Sequence, residues 1–220
     1  MSIHIIPHGR VTEHIKKGLR DHSSVEKVYL LPSHKFADVS AELATELETF
    51  GYDIEIREVD AFELRSVVDT IVTVAKENPG EDLYVNITGG TNLMAGAATS
   101  SAFFIGAKPY YVLERQDDES LEELVISLPA PKQPLTFDLS DAQREVLEQL
   151  GDWDNEGRTG IIGRQLGDAL GVSSQKISYH TGQLEERGLI ETHPQGRRKE
   201  IELTDVGRLY LRWTGGKQND

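Results

Sequence analysis

The stretch from Leu83 to Met94 has the residue order that points most clearly to chemistry. It reads Leu83-Tyr84-Val85-Asn86-Ile87-Thr88-Gly89-Gly90-Thr91-Asn92-Leu93-Met94. An apolar strand runs into a Gly-Gly turn that opens a helix, so the backbone amides of the turn point beyond the strand end. Threonine hydroxyls flank the glycines and a helix N-terminus lies behind them. This arrangement is typical of a binding site for phosphate or another anion.

The spacing of this turn differs from the common phosphate-binding motifs. It contains neither the Gly-x-x-x-x-Gly-Lys of a P-loop nor the Gly-x-Gly-x-x-Gly of a dinucleotide fingerprint. A strand, two glycines and a helix are also simple turn geometry. The function of the turn therefore depends on the elements around it.

The first 115 residues alternate strand-like apolar runs with segments of helical period, which predicts a parallel sheet covered by helices. We expect strands at 3–6, 27–31, 54–59, 83–87 and 109–113, and helices at 12–21, 37–50, 62–78 and 93–106. Such sheets bind ligands beyond the carboxyl ends of their strands, where the strand order reverses. The loops at that edge are Pro7-His8-Gly9-Arg10, Pro32-Ser33-His34 and the Gly89-Gly90 turn.

A second module follows a proline-rich break. Residues 121–128 would add an edge strand, and 129–134 read as a linker with a boundary near 135. Helices are expected at 141–150, with Ser140 as N-cap, and at 160–170, 174–188 and 205–213, with two short strands within 190–203. That order is typical of a winged helix-turn-helix. We thus predict a Rossmann-like α/β domain (1–128), a linker (129–139) and a winged-helix domain (140–215).

The third helix of this module is the expected DNA-reading element. Gly171 suits the turn between two crossed helices and Ser173 can cap the helix that follows. Ile177, Thr181 and Leu184 should face the core, which leaves polar side chains outside to meet base edges and phosphates. The candidate DNA-binding residues are Ser174, Gln175, Lys176, Ser178, Tyr179 and Gln183 on the helix, with Arg197, Arg198 and Lys199 on the wing.

The net charge of -14 is unusual for a DNA-binding chain. Either the protein does not touch nucleic acid, or it works in a salt-rich cytoplasm, where acidic surfaces keep proteins soluble. Residues 1–139 hold 12 basic and 23 acidic residues, and the remainder 11 and 14. Because the acidity lies mainly outside the second module, the salt-rich interpretation is favoured, and the scarcity of lysine agrees with it.

The second module resembles the winged helix-turn-helix domains of MarR-like and ArsR-like regulators. The resemblance rests on residues 172–180, Val-Ser-Ser-Gln-Lys-Ile-Ser-Tyr-His, and on 183–190, Gln-Leu-Glu-Glu-Arg-Gly-Leu-Ile. It implies binding to double-stranded DNA. The alternative is a winged helix used for protein contact, against which the basic wing tip argues. His180 lies close to the helix core and is read as a packed residue.

The first module resembles the CRISPR-associated Rossmann fold (CARF) family, and the whole chain is similar to the CARF plus winged-helix regulators of archaeal CRISPR systems. Residues 86–95, Asn-Ile-Thr-Gly-Gly-Thr-Asn-Leu-Met-Ala, carry the resemblance. It implies a homodimer that binds a cyclic oligoadenylate at its axis. By position it implicates Thr88, Gly89, Gly90, Thr91, Asn92 and Met94, and it maps less securely onto Pro7, His8, Gly9 and Arg10 of the first-strand loop. Ser33 and His34 are added as candidate ligand-binding residues because their loop lies at the same edge of the sheet. Many relatives have lysine where this chain has Asn92. Either Arg10 replaces that cation, or the protein binds a different or less charged nucleotide, or it has lost its effector and acts as a constitutive regulator.

The leading hypothesis is a dimeric, ligand-responsive transcription regulator with cyclic tetra-adenylate as a possible effector. The alternatives are a ring nuclease, for which His8, Arg10, His34 and Thr91 are the nearby groups, and a regulator of another small nucleotide outside CRISPR defence. No catalytic residue, cofactor or metal site is predicted, since the chain has no cysteine and its histidines are scattered. The absence of a signal peptide or membrane-length apolar segment predicts a cytoplasmic protein.

Overall fold

The computed structural model describes residues 2–117, 120–196 and 198–215, and the side chains of 114–123 are outside that description. The chain divides into two compact units, Met1–Leu135 and Thr136–Asp220. Within the described residues, no helix is long and apolar enough to cross a membrane.

The first unit has a mixed α/β fold. Its strands are β1 (Ser2–His8), β2 (Val25–Pro32), β3 (Asp53–Ile56), β4 (Asp82–Asn86), β5 (Lys108–Asp117) and β6 (Ser120–Ser127). Its helices are α1 (Glu13–Asp21), α2 (Ala37–Thr49), α3 (Leu64–Glu77) and α4 (Asn92–Ile105), and a 3-10 turn spans His34–Phe36. The predicted alternation of strands and helices is therefore present.

The six strands form one sheet in the order β3-β2-β1-β4-β5-β6. The first five are parallel, with β1 paired to both β2 and β4, and β6 runs antiparallel to β5. This is the doubly wound strand order, and it reverses between β1 and β4. The carboxyl ends of these two strands therefore border the crevice where such sheets bind ligands.

Strand β1 lies in the centre of the sheet and is buried along its whole length. Ile6 and Leu30 pack with Ile15 of α1 and Leu47 of α2 in an apolar cluster on one side of the sheet. A strand covered by helices on both faces is mainly apolar, and this apolar run is what located the strand in the sequence.

Most element boundaries differ from the prediction by one to five residues, and three of the differences have a clear structural cause. β3 ends at Ile56, although Val59 pairs again with Ser33. The first helix of the second unit extends to Asn155, because Trp153 continues its buried face. The next helix begins at Gly163, because the backbone before it pairs with a strand, through a 2.7 Å bond from Ile201 N to Ile161 O.

The second unit contains α5 (Asp141–Asn155), α6 (Gly163–Leu170), α7 (Ser174–Glu186), β7 (Ile190–Gln195), β8 (Arg198–Leu203) and α8 (Asp205–Thr214). The antiparallel pair β7–β8 follows α7, so the element order is that of a winged helix-turn-helix. Ser140 caps α5 in a reciprocal capping box with Gln143.

The segment 129–139, predicted as a linker, has irregular structure. Its first part packs against the first unit, since Leu135 N donates to Phe104 O at 2.9 Å. A Cβ at Gly106 would lie 2.6 Å from Pro134 N, so glycine is needed for this close approach.

Candidate functional site

The Gly89-Gly90 turn lies at the point where the strand order reverses. It follows β4, and the loop after β1 lies directly beside it, since a Cβ at Gly9 would be 3.7 Å from the Gly90 Cα. The fold thus brings together two loops that the sequence separates widely. The Ser33–His34 loop follows β2, the strand on the other side of β1.

Both glycines of the turn are required by their surroundings. A Cβ at Gly89 would lie 2.7 Å from His14 Nε2 and 3.0 Å from Pro7 O. Gly90 has a φ of 85°, which favours glycine, and a Cβ there would lie 2.8 Å from Met94 Sδ. Met94 is buried, so it supports the turn from below.

The two threonines hold the turn in place through their hydroxyl groups. Thr91 caps α4 by accepting a 3.1 Å bond from Met94 N, and it donates to Ala61 O at 2.9 Å. Thr88 Oγ1 accepts a 2.7 Å bond from Val112 N. The amides of Asn92 and Leu93 belong to the first turn of α4, where no intrahelical acceptor exists. These two amides are therefore the candidate hydrogen-bond donors to an anion.

The predicted loop histidines have protein partners. Pro7 and His8 belong to β1 rather than to a loop, and both are buried. The His8 ring makes 3.0 Å hydrogen bonds with Ser40 Oγ and Gly9 O, and burial lowers its pKa. His34 Nδ1 is paired with Glu58 on the surface. Arg10, next to Gly9, is exposed, so the cation predicted for this loop faces solvent.

His14 is a site residue that the sequence analysis missed. Only 3% of it is exposed, and its Nε2 has no hydrogen-bond partner among the described residues. Burial, with a further contribution from His8, lowers the pKa of His14 to about 4, so the ring is neutral beneath Gly89. Its sequence position gave no signal, because it falls in the apolar stripe of α1 next to Ile15.

Two other histidines, expected to be scattered, lie together. The His4 and His22 ring centroids are 4.8 Å apart, and Tyr84 stacks on His4 at 4.9 Å. Tyr110 makes a 3.2 Å hydrogen bond with His4 Nδ1. Burial, with a smaller effect of His22, lowers the pKa of His4 to about 3. His4 and Tyr110 are buried and His22 and Tyr84 are partly buried, so this aromatic cluster is packed at the edge of the core.

Helix α7 presents a polar face to solvent. Ile177, Thr181 and Leu184 are buried, as predicted. The exposed residues near its start are Ser174, Gln175, Lys176, Ser178 and Tyr179. Tyr179 is 62% exposed, and Ser173 caps the helix by accepting from Lys176 N.

The crossing of α6 and α7 depends on close backbone packing. A Cβ at Gly167 would lie 2.7 Å from Val172 O, so the helix before the turn approaches the chain after it. Gly171 has a φ of 65° and ends α6, as expected for the turn between crossed helices. The capped end of α7 is thereby held at the surface.

The remaining predicted DNA-contacting residues differ in their surroundings. Gln183 is half-buried, and its Oε1 accepts a 3.0 Å bond from Gln143 Nε2, so its side chain is tied to α5. Arg198 and Lys199 are exposed at the start of β8. Arg197 lies outside the described residues.

A mixed group of possible metal ligands lies on the hairpin. One ligand atom each of Glu191, His193 and Glu202 lies within 4.8 Å of the others. Glu191 and Glu202 are directly paired across the strands, and like charges in that position repel. The base of the hairpin is therefore acidic, whereas its tip carries Arg198 and Lys199.

Comparison with known families decides where the chain belongs. Residues 2–116, more than half of the 220 residues, match the family model described as "HFX_2341_N:-like, N-terminal". The chain belongs to this family. A relative from Archaeoglobus fulgidus, described as an uncharacterized protein, is 27% identical over 206 residues, covering 87% of this chain and 88% of its own length.

Solved structures give partial likenesses. MepR, a transcription regulator of the Staphylococcus aureus multidrug efflux pump MepA, is 27% identical over 36% of this chain with a TM-score of 0.32. The match spans 58% of the length of MepR. Protein VC1899 from Vibrio cholerae matches 96% of this chain and 64% of its own, at 11% identity and a TM-score of 0.46.

Proposed function

We propose that this protein is a homodimeric, DNA-binding transcription regulator whose first unit senses a small nucleotide. The observation that carries the proposal is that one chain combines a candidate ligand-binding surface with a candidate DNA-binding surface. One is a glycine turn with amide donors at the sheet's reversal point, and the other is a capped helix with an exposed polar face in a winged-helix unit.

DNA binding rests on the geometry of α7 and the hairpin. The N-terminal part of a recognition helix supplies the residues that reach base edges, and here Gln175 and Ser178 are exposed. The exposed Lys199 at the hairpin would contact phosphate. A dimer would present two such helices to half-sites about one helical turn apart.

Fluorescence anisotropy with DNA fragments from the regions flanking the protein's own gene tests this function. We expect a fragment to bind at high salt, and Gln175→Ala/Ser178→Ala to weaken its binding roughly tenfold or more. Gln183→Ala is the control, since that side chain is tied to Gln143. If no fragment binds, or both variants behave alike, α7 is not the reading element.

For the effector we propose a cyclic oligoadenylate, with cyclic tetra-adenylate as the first candidate. The CARF-like residue order at 86–95 and the placement of its glycine turn beside the β1 loop support this choice. The ring phosphates would accept from the amides of Asn92 and Leu93, and Arg10 would supply the cation that Asn92 lacks. The ligand would shift the dimer only insofar as it binds one arrangement more tightly.

Isothermal titration calorimetry with rings of different size tests the effector. We expect one ring per dimer and loss of binding in Gly90→Val, because Gly90 has a positive φ and Met94 lies against it. Absence of heat at every ring size would remove the cyclic oligoadenylate. A linear mononucleotide that binds instead would favour the regulator of another small nucleotide.

We propose binding without ring cleavage. Of the four groups considered for a nuclease, His8 is buried with both ring nitrogens hydrogen-bonded, and His34 is paired with Glu58. The Thr91 hydroxyl caps α4 and donates to Ala61. Incubation with cyclic tetra-adenylate followed by chromatography should return the intact ring, and linear products would establish the nuclease alternative.

A further inference from the structure

Exposed apolar side chains lie on the segments next to the Gly89-Gly90 turn. Phe62 is 83% exposed, Val11 57% and Leu93 38%. Val11 follows the loop that contacts Gly90, and Leu93 lies in the first turn of α4. Single exposed apolar side chains are normal on a protein surface. Several large ones next to the same polar turn indicate a binding surface.

The position of Phe62 is set by hydrogen bonds to the turn and to its own loop. Its neighbour Ala61 is buried and accepts the 2.9 Å bond from Thr91, the N-cap of α4. Phe62 N donates to Asp60 Oδ1 at 2.9 Å, and Asp60 N donates to Ser66 Oγ at 2.9 Å. The phenyl ring therefore projects from an ordered backbone, and the preceding residue, Ala61, contacts the glycine turn through Thr91.

The charges around Phe62 decide which part of a ligand it would meet. Asp60 and Glu63 lie close to Phe62 in the chain, and both are exposed carboxylates that repel phosphate. The amides of Asn92 and Leu93, at the positive end of α4, attract phosphate. An anion with an uncharged planar group would thus place its charge on the turn and its ring towards Phe62.

We propose that Phe62 stacks on a nucleobase of the nucleotide whose phosphate occupies the glycine turn, which makes Phe62 a specificity-determining residue of the sensor site. The proposal rests on the proposed function and deepens it. Stacking of a base on an aromatic side chain strengthens binding, and the preordered loop lowers the entropy lost on binding. The site thereby selects nucleotides over simple phosphates.

Calorimetry of the full chain with cyclic tetra-adenylate tests Phe62→Ala and Phe62→Trp. We expect the alanine variant to bind roughly tenfold to hundredfold more weakly and the tryptophan variant to retain binding. Phe50→Ala is the matched control, because Phe50 is also strongly exposed but precedes β3, at the amino end of the strands. It should bind the ring as the unchanged protein does.

The possible results separate this inference from the proposed function. If Gly90→Val loses the ring while Phe62→Ala binds it normally, the stacking role is wrong and the sensor site stands. If Phe62→Ala instead separates the subunits in sedimentation without changing ligand affinity, the ring is a contact with a second copy, which also overturns the proposal. If the unchanged protein binds no ring, adenosine monophosphate is added to Phe62→Trp. An unchanged tryptophan emission then refutes stacking.

Discussion

The imidazole of His14 closes the underside of the Gly89 turn. Its Nε2 would lie only 2.7 Å from a Cβ at residue 89, so a side chain there would clash with the ring. A helix residue after β1 thereby sets the shape of a turn after β4.

Gly90→Ala should destabilise the first unit and distort the turn. The positive φ costs an alanine roughly 1–2 kcal/mol, and its Cβ would meet Met94 Sδ at 2.8 Å. Gly96→Ala is the control, since a Cβ there meets nothing within 4 Å and the residue lies inside α4. That change should stabilise by about 0.5–1 kcal/mol. Denaturant unfolding followed by far-UV circular dichroism measures both, and equal effects would contradict the assignment.

The stability of the first unit should fall as the pH drops from about 6.5 towards 4. His14 has its pKa lowered to about 4 in the folded state, so the unfolded chain takes up the proton first. Its contribution is fully present above pH 6.5 and is lost through this window, at a cost of about 3 kcal/mol.

Unfolding free energies at several pH values measure this effect. His14→Gln cannot take up the proton, so its stability should depend less steeply on pH than that of the unchanged chain. His193→Gln, on the hairpin of the other unit, serves as a control. Parallel pH profiles for the unchanged chain and His14→Gln would show that this ring does not drive the acid sensitivity.

Removing the hairpin cations should reduce the salt dependence of DNA binding. Arg198→Ala/Lys199→Ala deletes two exposed charges, and each phosphate contact contributes about -0.9 to the slope of log affinity against log salt. We therefore expect a slope shallower by about 2. Lys16→Ala/Lys17→Ala removes the same charge from surface ion pairs of α1. If both double variants change the slope equally, only the net charge matters.

Arg208→Ala should destabilise the second unit by about 1–2 kcal/mol. The guanidinium donates to Asp154 twice, through Nε at 2.9 Å and Nη2 at 2.8 Å, and both side chains are largely shielded from solvent. Arg208→Lys should not restore the stability, because lysine cannot form this paired geometry.

Tryptophan fluorescence is a suitable measure for Arg208, because both tryptophans of the chain, Trp153 and Trp213, lie in the second unit. The control is Arg164→Ala, whose exposed ion pair with Asp168 is 3.7 Å long and should contribute little. A loss in Arg164→Ala as large as in Arg208→Ala would refute the special role of the Arg208 pair.

Much of the fold followed from local patterns. Strand β1 could be predicted because a central parallel strand is buried on both faces and is therefore mainly apolar. Ser140 and Ser173 could be predicted as caps because a hydroxyl before a helical pattern caps the helix. The predicted helix and strand boundaries were wrong where backbone pairing or side-chain packing extended beyond the local sequence pattern. The backbone bond between Ile201 and Ile161 delayed the start of α6, and Trp153 prolonged α5.

The sequence by itself determined the glycine turn, the two-part organisation and the outward face of α7, since each depends on residues that lie close together in the chain. Only the tertiary structure decided what surrounds the turn. It placed Gly9 beside Gly90, His14 beneath Gly89 and Ala61 against Thr91. These contacts join β1, α1 and the loop before α3, and they exist because the parallel sheet brings distant strand ends to one edge, which no local periodicity encodes.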